Sequence, residues 1–383
     1  MRRIYLDHAA TTPLDPRVFE AMRPYLLEHF GNPSSVHARG RKARFAVEES
    51  RETVASLLGA EPGEIVFTSG GTEANNSALL GTDGGVLTSA AEHESVLRPV
   101  EALRDRGWPI RMIMPGRTGA VSAGTIERYL DGDIALVSIM HANNEVGTIT
   151  PIEEIVAVSR RRGARVHCDA VQTAGYGMMR ADEVGVDLMT VSGHKFYGPK
   201  GAGVLFVRGS TSLESLLRGG SQERGRRGGT ENVPAIVGFA RALELAVLEA
   251  GDRRRHAEAL RDRLMAGLLE AVGEHVRIVT PAGRAAVAPH IVSVVVPPVE
   301  GRAVDGEMLL LNLEMEGIEA SAGSACTSGA VEPSHVLTAL GMDVETASAA
   351  VRFSVGKDTS EDEIDEAVDA CERVLRRMIR AAR

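Results

Sequence analysis

The chain has 383 residues, 25% charged and 44% hydrophobic, the balance of an ordinary globular protein of two or three domains. Its 43 Lys and Arg against 52 Asp and Glu give a net charge of −9, with no basic signature for direct nucleic-acid binding. No apolar run approaches a transmembrane helix, and no apolar core of a signal peptide follows Arg2 and Arg3. The 3 cysteines, Cys168, Cys326 and Cys371, follow no framework spacing. That count points to a reducing, cytoplasmic setting and offers no four-ligand zinc site, so no metal and no membrane are expected.

Ile4 to Leu6 is a short apolar run, followed by a small polar loop from Asp7 to Pro13. Asp15 as N-cap and Pro16 at the first helical position start a helix to about Phe30. Gly31-Asn32-Pro33-Ser34-Ser35 is turn chemistry, and Val36 to Leu58 is a second, mostly charged helix ending near Gly59. Glu64 to Thr68 reads as a strand, and Ser69-Gly70-Gly71-Thr72 turns straight into a helix. Free N–H groups and the helix dipole make that turn an anion site, although a plain capped start has the same sequence. Val86 to Thr88 is the next strand, and Glu92-His93-Glu94 opens the helix after it. His93 fits either a helix face or a lid over a flat ring.

Ile134 to Met140 is a buried strand ending in His141-Ala142-Asn143-Asn144-Glu145. Arg165 to Cys168 is another, ending in Asp169, with Gln172 one turn later. Asp169 can cap a helix or hold a cofactor ring nitrogen protonated. Val186 to Val191 is a buried strand running into Ser192-Gly193-His194-Lys195, a glycine turn and a further apolar run, Val204 to Val207. A Gly-Lys pair is commonly a surface turn. Here a partly desolvated Lys195, flanked by hydroxyl, imidazole and open backbone, suits a Schiff base beside a phosphate. Alternating strands and helices predict an α/β fold with a mainly parallel sheet, in which ligands bind at the carboxyl ends of strands. Thr72, His93, Asn144, Asp169 and Lys195 all follow strands at that end.

Leu213 to Asn232 is rich in Gly, Arg and Glu and reads as a surface loop or as an arm reaching a neighbouring subunit. Two long helices follow, 234–249 and 253–272, and the domain change is placed near Gly251. That assigns 15–250 to a large domain and 1–14 with 251–383 to a smaller α/β domain. His290 to Val296 is a strand and Arg302 to Met315 a helix. Ser321 to Gly329 is a small-residue loop with a glycine on either side of Cys326, where a thiol can move and react. Val351 to Ser354 is a short strand, and its Arg352 can fork a substrate carboxylate. Ser360 to Glu363 is a capping box for a last helix to about Ile379. Cys168 and Cys371 read as core.

Ten stretches carry a resemblance: YLDHAATTP, GNPSSVH, TSGGTEANN, EHESVL, HANNEVGT, HCDAVQ, SGHKFYGPKG, RRGGTEN, SAGSACTSG with EPSHVL, and VRFSVG. In this order, over nearly the whole chain, they resemble the cysteine desulfurases of the NifS/IscS family, group I. These are PLP-dependent (pyridoxal 5′-phosphate) transferases of fold type I, the aspartate aminotransferase-like fold. The resemblance implies that Lys195 carries the cofactor covalently. It implies a phosphate cup of Gly71, Thr72, Ser192, Gly193 and His194, with Thr230 reaching the partner subunit of a homodimer. His93 is expected on the ring and in proton transfer, Asp169 at the pyridinium nitrogen, and Gln172 and Asn144 at the ring hydroxyl. Asn32, Asn144 and Arg352 are expected at the substrate, and Cys326 as the nucleophile that becomes a persulfide. The implied reaction takes sulfur from L-cysteine, leaves L-alanine and delivers sulfur to an iron–sulfur scaffold or another sulfur-relay protein, for cluster assembly, thio-cofactors or tRNA thiolation. Selenocysteine lyase or aminotransferase chemistry is the neighbouring alternative, and a sulfur-relay scaffold the non-enzymatic one. The chain stops soon after its last helix, where some members carry a longer tail that docks the scaffold.

Overall fold

Short apolar runs such as Ile134–Met140 and Gly203–Val207 recur along the first two thirds of the chain, as expected for strands buried on both faces. The structure is a computed structural model and describes residues 2–283, 286–323 and 333–382. After the short strand β1 (Ile4–Tyr5) come β2 (Ile65–Thr68), β3 (Gly85–Ser89), β4 (Ile110–Ile113), β5 (Ile134–Met140), β6 (Arg165–Asp169), β7 (Leu188–Ser192) and β8 (Gly203–Val207). These last seven form one sheet in the order β2-β8-β7-β6-β5-β3-β4. Only β8 runs antiparallel to its neighbours. The carboxyl ends of the other six therefore lie along one edge.

Eight helices accompany this sheet: α1 (Pro16–Leu27), α2 (Ala38–Leu58), α3 (Gly71–Leu80), α4 (Glu94–Asp105), α5 (Ala123–Tyr129), α6 (Ile152–Arg161), α7 (Ala181–Val184) and α8 (Val233–Leu248). Successive strand residues enter opposite cores, as the two-residue period requires. Leu136 and Leu205 join Ala74, Ala78, Val96 and Val100 of α3 and α4. Val137 and Phe206 join Val54, Leu58, Ile155 and Phe239 of α2, α6 and α8.

The remaining elements are α9 (Ala250–Val272), β9 (Arg277–Ile278), β10 (Ile291–Val295), α10 (Gly306–Met315), β11 (Ile318–Glu319), α11 (His335–Ala339), α12 (Val344–Ser348), β12 (Ala350–Ser354) and α13 (Glu361–Ala382). They build a separate core in which Leu260, Leu264, Val294, Leu313, Phe353, Ile364 and Val374 pack with Ile4 and Leu6 from the start of the chain. The antiparallel sheet β9-β10-β12 and the parallel pair β1-β11 back this core.

The side-chain caps that the sequence predicts at Asp15 and at Ser360 with Glu363 are formed. Asp15 Oδ1 accepts from Arg17 N at 2.9 Å. Ser360 N donates to Glu363 Oε2 at 2.9 Å, and Glu363 N to Ser360 Oγ at 3.2 Å. The first helix ends at Leu27 rather than Phe30, where Glu28 N and His29 N both turn back to the Pro24 carbonyl. The sequence reading did not anticipate β4 and α5. β4 is a partly exposed edge strand and α5 buries one side chain, Ile126, so neither carries a strong apolar signal. Cys168 and Cys371 are both buried, and burial pushes the Cys371 thiol up to about 12.

The stretch 213–232, polar enough to read as a loose loop, is held at its middle. Glu223 is buried and takes both Arg51 nitrogens, Nη1 at 2.8 Å and Nη2 at 2.9 Å, together with Phe67 N at 3.0 Å. Arg51 also donates to the Ile65 carbonyl and lies 4.9 Å over the Phe67 ring. Removing one charge strands the other in the interior. Glu223→Gln is expected to lower stability by about 3–5 kcal/mol in equilibrium urea unfolding.

Candidate active site

The carboxyl ends of the parallel strands open onto a cleft of about 640 Å³. Ten of the residues expected at the site line it: Gly71, Thr72, His93, Asn144, Asp169, Gln172, Ser192, His194, Lys195 and Arg352. Gly193 is not among the lining residues; its N–H donates to the Ala202 carbonyl at 3.0 Å. Asn32 and Thr230 are exposed and do not line this cleft; Asn32 Oδ1 instead accepts from Ser34 N in its own turn. Cys326 lies outside the described residues. Ala320 to Gly323 before it and His335 after it line the cleft.

One end of the cleft brings together groups that can hold an anion. The turn after β2 enters α3 with Gly70 as N-cap and no side-chain cap, so the first N–H groups of the helix stay available. A Cβ on Gly71 would meet Val171 Cγ2 at 3.2 Å and Ser192 Cβ at 3.5 Å, a spacing that suits glycine. Thr72, Ser192 and His194 bring two hydroxyls and an imidazole to the same end. Burial, then the charges of Lys195 and Lys200, push His194 down to about 4, and its Nδ1 lies 3.1 Å from Thr11 Oγ1.

Lys195 follows β7. Its Nζ donates to the Ala9 carbonyl at 2.7 Å and the Ala10 carbonyl at 2.8 Å. Burial lowers its pKa to about 8; the Arg352 charge adds to the shift, and Asp169 and Asp7 oppose it.

Asp169, at the end of β6, caps no helix. Its Oδ1 accepts from Val171 N at 3.0 Å and its Oδ2 from Asn75 Nδ2 at 2.7 Å. Asn75 Nδ2 also reaches Ser95 Oγ at 2.8 Å, which lies 2.8 Å from His93 Nδ1. His93 is the N-cap of α4, and its Nδ1 accepts from Ser95 N at 3.1 Å. A nitrogen that accepts a backbone N–H is unprotonated. Burial lowers the His93 pKa, so the neutral ring carries its proton on Nε2.

Arg352 on β12 is 4% exposed. Its Nη1 donates to the Asn144 carbonyl at 2.9 Å, and its Nη2 to Asp7 Oδ1 at 2.6 Å and Ser321 Oγ at 2.8 Å. Its Nε is buried without an acceptor. Gln172 Nε2 donates to the Ala9 carbonyl at 3.0 Å.

Sequence reasoning did not single out Asp7, Asn75, Glu92, Glu145 or His290. Asn75 was legible in principle, since it sits four residues after Gly71 on the same face of α3. Glu92 and Glu145 are buried carboxyls that burial pushes up; Glu92 Oε1 accepts from Met140 N, and Ser334 Oγ donates to Glu145 Oε2. Among the described residues, no cluster of three or more His, Cys, Asp or Glu could hold a metal, and no helix is long and apolar enough to cross a membrane.

Nearly the whole chain is similar to known proteins. The aminotransferase class-V profile matches residues 4–367. A cysteine desulfurase IscS of Dictyoglomus turgidum is 42% identical over 384 aligned positions, covering 98% of this chain and 95% of the relative. A cysteine desulfurase IscS 1 of Archaeoglobus fulgidus is 41% identical, with 98% and 97% covered. Among solved structures, a NifS-like protein superposes with a TM-score of 0.89 at 37% identity, covering 98% of this chain and 99% of its own. A NifS-like protein from Rickettsia africae superposes at 0.87 and 31%, covering 97% and 99%. The class-V aminotransferases and the cysteine desulfurases among them use pyridoxal phosphate bound on a lysine. The chain belongs to the aminotransferase class-V family and, within it, to the cysteine desulfurases.

Proposed function

We propose that this cleft holds pyridoxal phosphate on Lys195 and that Cys326 takes the sulfur of L-cysteine, leaving L-alanine. The observation that carries the reading is one buried amine, lowered toward neutrality, between an anion cradle and a fixed carboxylate. The donors present fit the group. Gly71, Thr72, Ser192 and His194 take its phosphate, Asp169 its ring nitrogen, His93 its ring face, and Gln172 with Asn144 its hydroxyl. When bound, the cofactor supplies an electron sink joined to the α-carbon of the amino acid.

The protein's own groups do the rest. A lysine lowered to about 8 is partly an uncharged nucleophile at neutral pH and can take and return a proton at the α-carbon. Neutral His93, with its proton on Nε2, stands at the same cleft as a second proton carrier. Arg352 orients the substrate carboxylate, for which its free Nε and the Asp7 contact leave room to exchange. The Cys326 thiolate attacks the substrate sulfur and the Cβ–S bond breaks. The carbon keeps that electron pair and is protonated to give alanine, while the sulfur stays on Cys326 as a persulfide.

A homodimer completes the site in this reading. Thr230 is exposed and outside the cleft of its own chain, which suits a contact given to a partner. Leu27, Phe30, Val36 and Phe45 are at least 69% exposed, an apolar surface for a second copy. The persulfide would pass in the cytoplasm to a sulfur-acceptor protein such as an iron–sulfur scaffold.

Four outcomes test this. Lys195→Ala is expected to lose both cofactor colour and turnover. Cys326→Ala keeps the colour and loses the protein-bound persulfide, read by peptide mass after brief exposure to L-cysteine without reductant; persulfide persisting elsewhere in that variant overturns the assignment. His93→Ala keeps the colour and lowers kcat by about 10²–10⁴-fold, the range for a positioned acid–base group. In cofactor-free protein the uncharged amine is the reactive form. Acetylation of Lys195, followed by mass, should therefore rise as pH passes about 8 and not near 10.5.

A further inference from the structure

We propose that His290 is a positioning residue that fixes the amide of Gln172, donating its Nε2–H to Gln172 Oε1 so that an amide N–H is left for the cofactor's ring hydroxyl. The inference rests on the contact assigned to Gln172 above. It starts from an atom that can only accept. The Ala9 carbonyl lies 3.0 Å from Gln172 Nε2, so that end of the side chain is the NH₂ group. Oε1 then faces His290 Nε2 at 3.2 Å. An amide oxygen only accepts, so Nε2 carries the imidazole proton.

The surroundings agree. His290 is 3% exposed, and burial, with the charges of neighbouring cations, pushes it down to about 3. The ring is neutral and its Nδ1 is bare. Nδ1 is buried without a partner, so a proton there would be a donor with no acceptor. The ring stacks on Tyr176 at 4.8 Å and 22°, which holds its plane. Flipping the Gln172 amide would set carbonyl against carbonyl at Ala9 and N–H against N–H at His290. Gln172 has two amide hydrogens, one of them on Ala9. The other has no acceptor among the described residues, and the side chain lines the cleft. The same Ala9 carbonyl also receives Lys195 Nζ. His290 lies one residue before β10, so the second core sets the orientation of a group on the first.

A donor to the ring hydroxyl stabilises its ionised form, so losing that donor raises the apparent pKa of the bound cofactor. The test is the pH titration of cofactor absorbance in the holoenzyme. Gln172→Leu should raise the midpoint by about one unit, the size of a lost hydrogen bond to a charged group. His290→Leu should shift it in the same direction. His290→Gln, which restores an N–H at similar reach, should return it toward wild type, and the double Leu variant should shift no further than Gln172→Leu alone. A silent Gln172→Leu would sink the Gln172 contact itself. A shift in Gln172→Leu with a wild-type midpoint in His290→Leu overturns the role of His290. If His290→Leu does not fold, ¹⁵N-histidine spectra of the wild-type holoenzyme decide. A neutral Nε2–H ring whose signal is lost in His290→Gln supports the assignment, and an Nδ1–H or cationic ring at that position overturns it.

Discussion

A buried amine is tolerable only where its hydrogens are taken, and this structure is arranged around meeting that condition at Lys195. The two acceptors are backbone carbonyls of Ala9 and Ala10, which belong to the start of the chain and not to the sheet that carries the lysine. The segment is tied to its place from both sides. Thr12 N donates to the His194 carbonyl at 2.9 Å, and Tyr197 N donates to Thr12 Oγ1 at 2.7 Å. Tyr5 Oη donates to the carbonyls of Asp7 and Thr11, and Ser354 N to the Leu6 carbonyl. The two hydrophobic cores thus meet at the lysine through a short strap.

The charges of the cleft are few and each is held. Asp169 is fixed by Asn75 and a backbone N–H, and Arg352 by Asp7, Ser321 and two carbonyls. His93, His194 and His290 around them are neutral because burial disfavours the cation. In a low-dielectric pocket with little mobile charge, the remaining dipoles and ions act at greater strength than they would in water. Neutral imidazoles with assigned tautomers also have direction: each presents one donor and one acceptor, so a hydrogen-bond chain such as Asp169–Asn75–Ser95–His93 has one consistent reading.

The stretch around Glu223 shows how composition misleads. Gly, Arg and Glu dominate it, yet Glu223 and Arg224 adopt left-handed backbone at φ 47° and 57°, where non-glycine residues are strained. The bidentate pair with Arg51 sits on that strain and anchors the loop to α2 and β2. A buried ion pair is poor evidence for net stability, but it specifies one arrangement of the loop, since either charge alone in the interior would be costly.

Local chemistry was legible in the order of residues. Asp15 with Pro16, Ser360 with Glu363 and the apolar runs of β5, β6 and β7 depend on neighbours in the chain, so the helix starts and the parallel sheet follow from sequence. The strand-end rule also brought Thr72, His93, Asn144, Asp169 and Lys195 to one edge without knowledge of any contact. Tertiary structure decided the rest, because those interactions join residues far apart in the chain. Gln172 and His290 are separated by 118 positions, and Arg352 and Asp7 by 345. No pattern of period two or 3.6 records that an imidazole will face an amide oxygen, or that the carbonyls of two alanines will receive the amine. Sequence by itself determined which groups stand at the sheet edge. Tertiary packing decided their protonation and orientation: helices of the first core hold Asp169 and His93, and the start of the chain with the second core holds Lys195, Arg352 and Gln172.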